Sequence, residues 1–358
     1  MYFSNLDDLK VYAADAVFSS SEQLMIMVGD RSADQVNDMI EFLNQKNISF
    51  FGGIFPGLII GNKNMREGFI VEVLQPVYSS LVMPFMMRFS QDRESLRGYT
   101  AIVFVDGLSG SMKDLTDTLY GKLGNTVTYV GSGAGFYDLQ HRPCIFNSKQ
   151  LYKDALYVCI VKNKTELAVE HGWNKLDGPF FVKGSRDNIL SDVDNYSAFE
   201  LYRSVIEEEE KLTLFKEDFF VYAKDHPFGI LEDDGSLIVR DPISVNDNDE
   251  IVCVAGIPEG SEIYILKGDT NTLLEASLKI TVKCRNNAPD KYLPLLFDCI
   301  SRAMFLEDRF SEELDNIQAS LKYKVEGALS IGEIATRKNG EMVIHNKSSV
   351  LAIMGLDT

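Results

Sequence analysis

The 358-residue chain carries 53 Asp and Glu against 35 Lys and Arg, a formal net charge of −18 at pH 7. So acidic a surface repels phosphate backbones, and no extended basic cluster offsets it, which argues against nucleic acid and membrane partners. A composition of 45 % hydrophobic and 25 % charged residues is that of a globular protein with room for two or three domains.

The stretch Met1–Ser20 contains Asp7, Asp8 and Asp15 and no unbroken apolar run, so it reads as neither a secretory signal nor an anchor. No later segment has the apolar length of a membrane helix. The cysteines Cys144, Cys159, Cys253, Cys284 and Cys299 are odd in number and widely spaced, the pattern of free thiols in a reducing cytoplasm. Zinc sites of the usual spacing are excluded, and four scattered histidines offer little for a metal centre. The expectation is a soluble cytoplasmic protein without a metal.

In chain order, Leu24–Val28 reads as a buried strand. Residues 33–43 follow as a helix with Ala33, Val36, Met39, Ile40 and Leu43 on one face, and Ile48–Phe51 as a second strand. Gly68–Leu74 and Met83–Phe89 are further strand candidates. Thr100–Val105 is a clean buried strand ending in Asp106-Gly107. A helix over Ser111–Leu123 leads to a short strand, Val127–Val130, and then to Gly131-Ser132-Gly133-Ala134-Gly135. Leu156–Val161 reads as a central strand.

The second half is more punctuated. Ser197–Glu210 is a helix whose acidic end, Glu207–Glu210, is read as solvated surface. Phe219–Ala223, Ser236–Arg240, Glu250–Ala255 and Glu262–Leu266 are strand candidates, and Thr270–Lys283 is a helix candidate. Leu293–Ile300 is apolar, Phe310–Leu321 carries Leu314, Ile317 and Leu321 on one side, and the end reads as strands. The pattern predicts an α/β to α+β fold of mixed sheets and helices with a strand-rich second half. The division expected is residues 1–188 and 189–358.

Three constellations could carry chemistry. In the first, the glycines around Ser132, Gly133, Ala134 and Gly135 permit positive φ and close approach of a ligand to backbone N–H groups. Pro143 limits any following helix and no phosphate-loop lysine is present, so a nucleotide loop is disfavoured; a ligand-pocket wall and a structural turn remain. In the second, Cys299 is either a nucleophile or a buried inert thiol. Arg302, in an apolar neighbourhood, needs an anion, from the protein or from a ligand. In the third, Glu333 either meets a ligand amine or pairs with Arg302, and Asn346 either orients a ligand or satisfies turn backbone. His171 and His345 are potential haem ligands or bases set against plain structural roles, and Trp173 is read as a packing residue.

These pieces together resemble the FIST family, which pairs an amino-terminal with a carboxy-terminal FIST domain. The resemblance rests on Val103-Phe104-Val105-Asp106-Gly107, Gly131–Gly135, His171-Gly172-Trp173, Asp298-Cys299-Ile300-Ser301-Arg302, Gly332-Glu333-Ile334-Ala335 and Asn346. Ser132 and Ser301 stand where the family more often has glycine. The resemblance implies an intracellular sensory module for a small molecule such as an amino acid. Its ligand would meet backbone N–H groups at Ser132–Gly135, with Arg302 for a carboxylate, Glu333 for an amine and Asn346 alongside. It would signal through a separate output protein or by homo-oligomerisation. The alternatives are a haem-based gas sensor, a Cys299-dependent hydrolase and a ligand-free scaffold; an enzyme is the less favoured reading.

Overall fold

Three strand–helix–strand units organise the computed structural model, which describes residues 1–286 and 288–356. The first is Gln23–Gly29, Val36–Gln45 and Phe50–Phe55; the second is Thr100–Asp106, Met112–Leu123 and Thr128–Ala134. The third is Tyr292–Cys299, the helices Ile300–Leu306 and Phe310–Ala319, and Glu326–Ser330. Their helices form for the reason the spacing predicts: Val36, Met39, Ile40 and Leu43 of the first are buried on one face, as are Met112, Leu115, Leu119 and Leu123 of the second.

In each unit the two strands are parallel, and the registers match: Ile26 opposes Gly52, Val103 opposes Gly131, and Leu296 opposes Gly327. The glycine recurs because there is no space for a side chain. A Cβ on Gly52, Gly131 or Gly327 would stand 2.0, 1.8 and 1.8 Å from the carbonyl oxygen of its partner. Backbone approach this close admits only glycine.

The chain then leaves each unit in the same way. Leu58–Ile60 crosses to pair with Glu326–Ser330, Ile145–Asn147 with Phe50–Phe55, and Glu333–Thr336 with Thr128–Ala134. Each unit is completed by an antiparallel return strand beside its first: Phe69–Leu74, Leu156–Val161 and Ser349–Gly355. A last strand crosses again, Pro76–Val82 to the second sheet and Thr165–Glu170 to the third, while Tyr2–Phe3 fills the corresponding place in the first. The result is three six-stranded sheets in a pseudo-threefold cycle, each completed by strands that cross over from other parts of the chain. Met27, Phe104 and Phe297, all fully buried, occupy the same position two residues before the strand end. Phe104 packs edge-on to Phe297 at 6.1 Å and to Phe55 at 5.1 Å. Burying each such ring is worth about 1.5–3 kcal/mol.

Between the second and third units lies an eight-stranded antiparallel sheet built from strands between Asn174 and Lys267, with helices Ala198–Glu210 and Phe219–Ala223. This is the strand-rich part of the mixed α/β architecture. Two expectations are corrected. Phe219–Ala223 is a helix, and Met83–Phe89 forms only an isolated bridge between Met83 and Met86. Short apolar runs satisfy strand and helix equally well until tertiary contacts decide. Among the described residues no helix is long and apolar enough to cross a membrane. All five cysteines are buried and unpaired.

Candidate functional site

The carboxyl ends of the parallel strands of the second and third units meet under the inserted sheet. There the chain turns outward at Gly107–Gly110, at Cys299–Ser301 and at Ile331-Gly332. These segments, with Asn188, Asp241, Cys253 and Val254 above them and Asn346 at one side, enclose a cavity of about 430 Å³. Leu139, Phe220 and Ile243 form its partly exposed rim. Crevices beyond the carboxyl ends of parallel strands are the usual ligand positions in α/β sheets. A second, wider depression of about 700 Å³ adjoins it and shares Ser109, Gly110, Asn188 and Val254.

The walls are mainly apolar, and few polar groups face inward. Asp241 is almost fully buried. Its Oδ2 accepts from Ser301 Oγ at 2.9 Å, and its Oδ1 lies 3.1 Å from Lys347 Nζ. Lys347 is held in turn by the Lys224 carbonyl at 2.8 Å and lies over the Trp173 ring, whose Nε1 donates to the Lys347 carbonyl. Asn346, also buried, donates from Nδ2 to the His345 carbonyl, which leaves its Oδ1 without a partner.

Behind this wall lies Glu333. Its Oε2 accepts from the Ser348 amide at 3.3 Å, and its Oε1 has no partner in hydrogen-bonding geometry. Burial pushes its carboxyl up to about 8, against the lowering influence of Ser348, Cys299 and Ser330. Cys299 is pushed far above the ordinary thiol range by burial and by the charges of Glu333 and Asp241. It is therefore a thiol at neutral pH, not an activated nucleophile.

Of the seven residues expected at a ligand site, Asn346 lines the cavity. Ser132, Gly133 and Ala134 belong to the strand Thr128–Ala134, which runs four residues beyond the expected Val127–Val130 and is hydrogen-bonded on both sides. The Gly133 amide donates to the Gly332 carbonyl and the Gly135 amide to the Ile54 carbonyl, both at 2.8 Å. Gly133 acts one layer below the cavity. A Cβ there would lie 1.9 Å from the Ile331 carbonyl oxygen and 3.1 Å from Gly107 Cα, so this glycine lets two wall segments close together.

Arg302 is fully buried, and its guanidinium is not among the groups lining the cavity. It donates to Glu313 Oε1 at 2.7 Å, to the Leu273 carbonyl at 3.3 Å and to the His171 carbonyl, and it lies 3.4 Å from Asp298 Oδ1. Burial and the neighbouring Glu313 raise the Asp298 carboxyl well above the ordinary range. Arg302 and Glu333 are thus in separate contacts. Two signals were missed. Glu313 falls on the buried face of its helix with Phe310, Leu314 and Ile317, and Asp241 sits in a buried Arg240-Asp241-Pro242 run.

A haem would need an imidazole or thiolate facing its slot. His171 and His345 lie outside the cavity lining, lowered by burial to about 4 and about 3, and Cys299 is held protonated. These residues do not fit a haem at this cavity.

Comparison with known protein families gives two matches, the FIST N domain over residues 4–195 and the FIST C domain over residues 198–336. No curated protein matches the sequence.

Proposed function

This chain belongs to the FIST family of small-ligand sensory modules, and from that premise we propose that it senses a small polar molecule such as an amino acid in the cavity below the inserted sheet. The observation that carries this reading is the mainly apolar cavity with Asn346 in its wall, whose Oδ1 has no partner and is closed off until the amide turns toward a ligand. An unmatched buried acceptor costs about 1–3 kcal/mol, which a ligand donor would recover. The donor in this reading is the ligand amine, with the Asp241 carboxylate on the same wall favouring its positive charge. The surrounding Leu108, Ile300, Ile331 and Val254 suit an apolar side chain.

Arg302 holds the third unit together in this account and takes no ligand carboxylate. Glu333 lies behind the wall in contact with Cys299 and the Ser348 amide and does not itself meet the ligand. The cavity is closed on one side by the three-unit ring and on the other by the inserted sheet, so a ligand touching both favours their closer approach. That population shift is what a separate output protein, or a second copy of the chain, would read.

The test is a thermal-shift screen of the common amino acids against the full chain. Saturable stabilisation by one or a few of them is expected, with the shift lost in Asn346→Ala. No stabilisation by any of them would sink the amino-acid reading, and equal shifts in the variant would sink the proposed pose.

A further inference from the structure

Beside the ligand cavity, three chain segments far apart in sequence bring metal-ligating atoms together. Asp106 ends the strand Thr100–Asp106, His141 lies in the loop before Ile145–Asn147, and Asp154 precedes the strand Leu156–Val161. His141 Nε2 is 2.9 Å from Asp106 Oδ2 and 3.5 Å from Asp154 Oδ1, and the three ligand atoms all lie within 4.8 Å of one another. Donor atoms around a tetrahedral ion with bonds of about 2.0–2.2 Å stand roughly 3.3 Å apart. The observed separations fall on either side of that value.

One imidazole nitrogen and two carboxylate oxygens make a donor set suited to a divalent transition metal, with water completing the shell on the solvent side. His141 and Asp154 are partly exposed, which gives an ion a path in from solvent.

The geometry points to a transition-metal site, with Zn²⁺ the expected occupant, formed by Asp106, His141 and Asp154. It is independent of the proposed ligand cavity, but the two touch. Ser109 Oγ donates to Asp154 Oδ1 at 2.6 Å, and Ser109 is part of the cavity wall. Asp106 leads directly into Gly107–Gly110, so an ion here would brace that wall from behind.

The competing arrangement is an imidazole hydrogen-bonded between two carboxylates with no ion, and it predicts different titrations. The full chain, stripped with a chelator, is titrated with Zn²⁺ in competition with a chromophoric chelator, and separately with Co²⁺. One saturable equivalent of Zn²⁺ is expected, weakened at least tenfold in His141→Ala. Cobalt should give the visible d–d absorption of a bound low-coordinate ion, and this should be lost in His141→Ala. His141 is at the surface edge of the cluster, and circular dichroism verifies that the variant folds; Asp154→Asn, at a still more exposed position, provides a second test of the same loss. No stoichiometric uptake by the wild type, or affinity in both variants equal to that of the wild type, would overturn the site as stated.

Discussion

Arg302 and Glu313 form an ion pair of 2.7 Å in which both side chains are completely buried, with Asp298 Oδ1 3.4 Å from the guanidinium Nε on the same edge. One cation thus holds two carboxyl groups inside the third unit, and the Leu273 and His171 carbonyls complete its hydrogen bonding. The pair links helix Phe310–Ala319 to the start of helix Ile300–Leu306 and to the strand that ends at the cavity floor.

Removing that cation strands its partners. Arg302→Ala should cost about 3–5 kcal/mol, the usual penalty for breaking a buried pair, measured by urea unfolding at pH 7. The folded fraction should bind ligand with wild-type affinity. Unchanged stability with lost binding would instead make Arg302 a ligand contact.

Gly133 and Gly110 should respond oppositely to the same substitution. Gly133→Ala drives a methyl to 1.9 Å from the Ile331 carbonyl oxygen, whereas a Cβ on Gly110 meets nothing within 4 Å. A loss of about 1–3 kcal/mol or more is expected for the first, as for overpacking generally, and a change near zero for the second. Thermal unfolding of the two variants side by side measures the difference; equal effects would refute the close-packing role.

Glu333 makes stability depend on pH in a definite direction. Its carboxyl stands at about 8 in the folded chain against an ordinary value of 4.5, so between those values the folded state holds more protons than the unfolded one. Stability from this group is complete below about 4.5 and declines as pH rises through about 8. Glu333→Gln should remove that decline and be the more stable protein at pH 9. A difference between wild type and variant that is constant from pH 5 to 9 would contradict the assignment.

Much of the architecture can be read from the chain. The apolar periodicity of residues 33–43 and 111–123 marks the first two helices, and the strands on either side follow from their branched and aromatic runs. The pseudo-threefold cycle is not legible, because no local period records which sheet Leu58–Ile60 or Glu333–Thr336 will join. The Gly131–Gly135 stretch shows why composition misleads: its glycines serve close strand packing, yet the same residues suit an exposed binding loop. Arg302 was legible as a buried cation in need of an anion. Its partner was hidden in Glu313, which shares a helical face with Phe310, Leu314 and Ile317. Asp106, His141 and Asp154 escape any spacing rule because three separate segments supply them.

The central claim, a ligand donor received by Asn346 Oδ1, is tested most directly by calorimetric titration of the amino acid that stabilises the wild type. The measurement compares the wild type with Asn346→Leu, which keeps the γ-branched outline of the side chain and removes the acceptor. About tenfold weaker binding is predicted, corresponding to roughly 1.4 kcal/mol. Equal affinity in the two proteins would contradict the account.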